Sequence, residues 1–216
     1  MQKQQVLDRI RSTGLIPVIR ARSADEANRA VDAIQAGGVG VLEITMTVPG
    51  AVDLIREVAA RATDAVVGAG TVLDPETAIR CIDAGAQFIL SPALNPATIS
   101  TCRERDVAII PGALTPTEVV AAWTAGADLV KVFPAGSVGG PGYLKALKAP
   151  LPDIDLVPTG GVDLDTAGDF IRAGAAALGV GSALVDLAAL RRGEASVLTE
   201  RARRFVEIVQ AARKAG

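Results

Sequence analysis

Leu129-Val130-Lys131-Val132-Phe133 is a short apolar run with one charge at its centre. It reads as a strand, and because strand side chains alternate between faces, Lys131 shares one face with Leu129 and Phe133 while Val130 and Val132 share the other. Similar runs rich in Val, Ile and Leu recur at Leu15–Arg20, Val41–Thr45, Ala65–Ala69, Phe88–Ser91, Ala108–Pro111, Leu156–Thr159 and Leu178–Gly181, which makes eight expected strands. Helical periodicity fills the gaps at Ala24–Ala36, Pro49–Arg61, Pro75–Ala84, Pro96–Arg105, Pro116–Ala125 and Leu164–Ala173.

Helix boundaries are marked in the same text. Asp74-Pro75, Asn95-Pro96 and Thr115-Pro116 each put a polar residue before a proline in the first turn, with Glu76 and Glu118 placed for the helix dipole. Gly37-Gly38, Gly85, Gly126 and Gly174 stand where helices must stop before strands two, four, six and eight. A strand-plus-helix unit repeated about every 20–26 residues, with no half of the chain different in kind, fits a (β/α)8 barrel better than a doubly wound open sheet. Gln2–Ser12 is expected as an extra helix closing the barrel bottom and Ser196–Lys214 as a long amphipathic final helix; no stretch reads as a linker, so residues 1–216 are expected to form one domain.

Composition narrows the function. Half the residues are apolar and only 3% aromatic, as suits parallel strands covered by helices on both faces. A net charge of −2 with no long basic run argues against nucleic acid as a partner. The start MQKQQVLDRI lacks a signal-peptide core, and every apolar run stops short of the ~20 residues that a membrane helix needs, so a soluble, cytoplasmic protein with no membrane partner is expected. Cys81 and Cys102 have no metal-site spacing and the chain has no histidine, so imidazole bases are excluded, a zinc-dependent mechanism is disfavoured, and neither metal nor cofactor is expected.

In a barrel of this kind the site lies at the C-terminal ends of the strands, here Arg20, Glu43, Thr71, Ser91 or Pro92, Gly112, Lys131, Thr159 and Ser182. Lys131 is one of five lysines against seventeen arginines; the others lie at the termini or at Lys145 and Lys148, on a helical stretch expected to be exposed. Inside a barrel its amine loses solvation and moves toward the neutral, nucleophilic form, unless it is a structural lysine paired with a carboxylate. Glu43, within Val41-Leu42-Glu43-Ile44-Thr45, is either a partner for such a cation or a proton carrier. Arg20 either forks onto a substrate carboxylate or pairs with Glu43 and positions it. Two glycine turns, Thr159-Gly160-Gly161 and Gly179-Val180-Gly181-Ser182, follow the last two strands, the usual phosphate position of the fold.

With these residues assembled, the sequence resembles the 2-keto-3-deoxy-6-phosphogluconate (KDPG) aldolase family, which includes 4-hydroxy-2-oxoglutarate (KHG) aldolases. The resemblance runs nearly end to end, through Leu42-Glu43-Ile44-Thr45, Val67-Gly68-Ala69-Gly70-Thr71-Val72, Ser91-Pro92, Ile110-Pro111-Gly112, Lys131-Val132-Phe133-Pro134 and Pro158-Thr159-Gly160-Gly161-Val162. It implies a barrel homotrimer, a Schiff base at Lys131 and an acid/base at Glu43. It further implies keto-acid contacts from Arg20, Thr71, Pro92 and Phe133, and a phosphate pocket from Thr159, Gly160, Gly161, Gly181 and Ser182. Where some members carry an arginine for the substrate carboxylate, this chain has Thr47. The expected reaction is class I cleavage of 2-keto-3-deoxy-6-phosphogluconate to pyruvate and glyceraldehyde 3-phosphate, extending to 4-hydroxy-2-oxoglutarate, with the galactonate epimer as the alternative substrate. A non-covalent phosphosugar isomerase and a non-catalytic sugar-phosphate-binding barrel are the competing readings.

Overall fold

The computed structural model describes residues 1–214; the last two residues of the expected 1–216 domain lie outside the described residues. The strands are β1 (Leu15–Ile19), β2 (Val41–Thr45), β3 (Val66–Gly70), β4 (Phe88–Leu90), β5 (Ala108–Ile110), β6 (Gly112–Ala113), β7 (Val130–Val132), β8 (Leu156–Pro158) and β9 (Leu178–Val180). The helices are α1 (Lys3–Thr13), α2 (Ala24–Ala36), α3 (Ala51–Arg61), α4 (Pro75–Asp83), α5 (Pro96–Glu104), α6 (Pro116–Thr124), α7 (Gly140–Lys148), α8 (Ala167–Arg172), α9 (Leu187–Arg191) and α10 (Ala195–Lys214). Among the described residues no helix is long and apolar enough to cross a membrane.

All strand pairs are parallel and fall into two ladders, β5-β4-β3-β2-β1-β9 and β6-β7-β8. The fold is thus α/β with a curled parallel sheet. One residue, Pro111, separates β5 from β6; it has no N–H for the ladder, although its carbonyl still accepts from Lys131 N at 2.9 Å. The expected strand Ala108–Pro111 therefore ends early and a second short strand follows. Isolated bridges, Leu156 with Ala175 and Thr159 with Gly179, connect the β8 side to the β9 side.

Burial divides along the two faces of the strands. Val130, Val132, Leu42, Ile44, Val67 and Ala69 pack outward against helix residues such as Ile34, Leu54, Cys81 and Phe170. Leu129, Ile16, Val41, Val66, Phe88 and Val157 form a separate inner cluster, into which α1 inserts Val6, Leu7 and Ile10. This is the face on which alternation puts Glu43, two residues after Val41, and Lys131, two residues after Leu129.

Helix starts follow the sequence signals. Asp74 accepts from Thr77 N at 2.7 Å, Asn95 from Ala97 N at 3.0 Å, and Thr115 forms a capping box with Glu118. Two expected helices start late. Pro49–Arg61 begins only at Ala51, because Gly50 is left-handed at φ 71°. Leu164–Ala173 contracts to α8, because the Asp163 carboxylate captures the Asp165 and Thr166 N–H groups in a turn. The five-residue α9 was not expected, being too short to show a helical period.

Candidate active site

Lys131 on β7 and Glu43 on β2 are buried on the inner face, at 2% and 1% exposure. Neither Glu43 oxygen has a hydrogen-bond partner, and among the described residues no ion pair within 4.0 Å joins Glu43 to Lys131 or Arg20. The Lys131 ammonium position lies 5.0 Å from the centroid of the Phe133 ring, within cation–π range. Burial drives Lys131 below the ordinary lysine range; the Glu43 charge opposes that shift and Arg20 adds to it. Burial likewise drives Glu43 above the ordinary carboxylate range, against the pull of Lys131 and Arg20. Each group is pushed toward its neutral form.

Space for these side chains comes from glycines on the inner face. A Cβ at Gly68 would meet the Phe88 ring, one at Gly70 the Glu43 carboxylate, and one at Gly179 the Thr159 hydroxyl. Thr159 Oγ1 is, like the Glu43 oxygens, buried without a partner.

A cleft of about 320 Å³ opens among Val18, Arg20, Phe133, Thr159, Gly160, Gly161, Val162, Asp163, Gly181, Ser182 and Ala183. It gathers Phe133, Arg20 and all five residues expected at a phosphate, and its size lies at the low end of the ~300–1,000 Å³ of small-molecule sites. The turns around it are fixed through their carbonyls: Gly160 O accepts from Gly136 N at 2.8 Å, Gly161 O from Thr166 Oγ1 at 3.2 Å, and Gly181 O from Val185 N at 2.9 Å. Asp163, the one acid in the lining, is occupied by Thr166 and Asp165: the Thr166 N–H and hydroxyl, with the Asp165 N–H, hold its carboxyl below the ordinary range.

Arg20 lies just beyond β1, exposed; its expected place at the end of the strand is vacated because β1 stops at Ile19. Pairing with Glu43 is not observed, which removes one of the two roles open to it. Thr47 is exposed, and its hydroxyl is 2.6 Å from that of Thr45, which also donates to Ile19 O. Thr71 and Pro92 fall outside the cleft that holds Arg20. Thr71, at φ 59°, lines a separate 390 Å³ cleft with Met46, Val48 and Leu73, and Pro92 is half-buried with its carbonyl packed on Gly112. That cleft is larger but has none of Glu43, Thr159 and Lys131 in its lining, whereas the Arg20 cleft has Thr159 and neither Glu43 nor Lys131. Lys148 differs from expectation as well: it is half-buried and donates to Pro152 O at 2.7 Å and Ile154 O at 3.0 Å, whereas Lys145 is exposed. Both cysteines are free and buried, their thiols pushed up by burial to about 11 for Cys81 and about 12 for Cys102.

A parallel α/β fold with an unpaired buried lysine beside a buried carboxyl has the make-up of an enzyme working through an amine. The family model for KDPG and KHG aldolase matches residues 6–200. The KHG/KDPG aldolase of Escherichia coli K12 is 36% identical over 199 residues, covering 92% of this chain and 93% of that one. A native KDPGal structure superposes with TM-score 0.84 at 33% identity, covering 93% of this chain and 96% of the other. The crystal structure of Legionella pneumophila KDPG aldolase, with pyruvate captured at low pH as a covalent carbinolamine intermediate, superposes with TM-score 0.85 at 28% identity over 92% of this chain and 97% of the other. The chain belongs to the KDPG and KHG aldolase family and is a class I aldolase, a carbon–carbon lyase.

Proposed function

We propose that the protein is a single-domain, closed (β/α)8 barrel that cleaves 2-keto-3-deoxy-6-phosphogluconate to pyruvate and glyceraldehyde 3-phosphate, acting as a cytoplasmic homotrimer. Closure of the barrel is supported by the one-residue gap between β5 and β6 and by the bridges between the β8 and β9 sides. The trimer rests on the family resemblance. The observation that carries the function is the burial of Lys131 beside Glu43 with no partner for the Glu43 oxygens.

Neutral Lys131 attacks the C2 ketone, and loss of water from the carbinolamine gives an iminium. The Glu43 carboxylate takes the proton of the C4 hydroxyl as the C3–C4 bond breaks, and that bond's electron pair flows into the iminium to leave an enamine. Glyceraldehyde 3-phosphate departs. The same Glu43 proton goes to the enamine carbon, and water then releases pyruvate and the free amine. Burial supports both roles, since it shifts Lys131 toward the neutral amine and raises Glu43 above the ordinary carboxylate range. Substrate phosphate occupies the cleft of Thr159, Gly160, Gly161, Gly181 and Ser182, with Arg20 supplying positive charge there. Thr47, Thr71, Pro92 and Phe133 are assigned to the keto-acid end.

The galactonate epimer is a second reading, favoured by the 33% identity to the KDPGal structure. Pyruvate release from the gluconate and galactonate phosphates and from 4-hydroxy-2-oxoglutarate decides among them. The proposal expects the highest kcat/KM on the gluconate phosphate; equal values with and without phosphate overturn the assignment of the cleft.

A further inference from the structure

Glu26 is buried, at 4% exposure, on the first turn of α2, away from Lys131 and Glu43 in sequence and in none of the roles above. Its two oxygens hold different parts of the chain. Oε2 accepts from Arg22 N at 2.8 Å, which ties down the β1–α2 loop two residues after Arg20. Oε1 accepts from Arg191 Nε at 2.6 Å, at the end of α9, the helix that follows the Gly181–Ser182 turn. Although burial opposes ionisation, the Arg22 N–H and the Arg191 guanidinium hold the carboxyl below its ordinary range. A second arginine continues the chain of contacts: Arg201 on α10 pairs with Asp186 at 3.0 Å and donates to Ala183 O at 3.3 Å, and Asp186 caps α9 through Ala189 N. Arg20 and the Gly181–Ala183 turn form two walls of one cleft, and this single carboxylate holds the chain two residues after the first wall, at Arg22, and eight residues after the second, at Arg191.

We infer that Glu26, through Arg191, is a positioning residue for the anion-binding end of the substrate cleft, fixing the distance between Arg20 and the Gly181–Ser182 turn. The inference rests on the proposed phosphate role of that cleft. Glu26 touches no reacting atom, so its effect falls on binding of the phosphate and not on the chemistry at Lys131. A charged group held by two hydrogen bonds from separate segments is well suited to this, because a change in either segment moves the other.

Glu26→Gln, Arg191→Ala and the double variant test it, with 2-keto-3-deoxy-6-phosphogluconate, 4-hydroxy-2-oxoglutarate, inorganic phosphate as competitor, and pyruvate-borohydride trapping as readouts. Each single variant is expected to raise KM for the phosphorylated substrate and Ki for phosphate by roughly tenfold, with kcat, trapping and KM for the unphosphorylated substrate within about twofold. The double variant should be no worse than the singles, since one interaction is removed in all three. Equal KM changes on both substrates, unchanged KM and Ki, or lost trapping overturns the inference. If wild-type protein neither prefers the phosphorylated substrate nor is inhibited by phosphate, the role of the cleft falls, and this inference with it; wild-type preference with variants that leave it intact rejects the Glu26 role alone. Should Glu26→Gln fail to fold, Arg191→Ala, at the 40% exposed end of the pair, carries the same test.

Discussion

Gly70 and Glu43 share one space: a Cβ at position 70 would meet Oε1, Cδ and Cγ of the Glu43 side chain. Gly70 is not among the residues of positive φ, so alanine there is tolerated by the backbone and the substitution isolates the collision. Gly70→Ala is expected to displace the carboxylate and lower kcat by about 10²-fold, while pyruvate trapping at Lys131 persists. Thermal melts should show an overpacking loss of about 1–3 kcal/mol. Steady-state rates equal to wild type would show that Glu43 has another place to go.

The pairing of Gly70 with Glu43 was not legible in the sequence. Gly68-Ala69-Gly70-Thr71 reads equally well as close strand packing, and only the register that sets Ile44 beside Ala69 and Thr45 beside Gly70 brings the carboxylate over it. The strands themselves were legible because each is a short apolar run between helix-stop and helix-start signals. Lys131 and Glu43 were legible as single charges at the centres of two such runs. Glu26 was hidden, since an acid in a first helical turn is what any solvated helix displays, and its partner Arg191 lies 165 positions away. The separation of Thr71 and Pro92 from the Arg20 cleft depends on loop conformation, including the positive φ of Thr71, which no periodicity encodes.

The pH dependence of trapping has a defined sign. Burial lowers the Lys131 pKa, Glu43 raises it and Arg20 lowers it further. The neutral amine therefore appears below the free-lysine value of ~10.4, and the trapping rate should rise with pH and level off before that value. Removing the Glu43 charge takes away the one opposing influence, so the plateau of Glu43→Gln should sit at lower pH than that of wild type. Rate–pH profiles with pyruvate and borohydride measure this; a plateau moved upward in Glu43→Gln contradicts the electrostatic account.

The site is expected to be a source of instability. Lys131 gives up a proton on folding that the unfolded chain keeps, so stability rises with pH between its lowered value and ~10.4. Glu43 retains a proton in the folded chain that the unfolded chain loses, so stability falls as pH rises from ~4.3 through its raised value. Lys131→Met with Glu43→Gln removes both slopes and the uncompensated burial of charge. The double variant should be inactive and more stable than wild type by about 1–4 kcal/mol at neutral pH, read from chemical denaturation. A less stable double variant would mean that the two groups are better satisfied than their missing hydrogen bonds indicate.

Every step of the cleavage depends on covalent capture at Lys131, which peptide mapping after incubation with pyruvate and borohydride reads out at the residue itself. Of the five lysines, Lys131 alone is buried on the inner face; Lys3 pairs with Asp128 at 2.8 Å, Lys148 is held by two carbonyls, and Lys145 and Lys214 are exposed. One reduced pyruvyl group is expected, on the Lys131 peptide, with loss of both label and cleavage in Lys131→Arg, whose guanidinium keeps the charge but forms no Schiff base. An unmodified Lys131 peptide, or cleavage that survives Lys131→Arg, contradicts capture at Lys131.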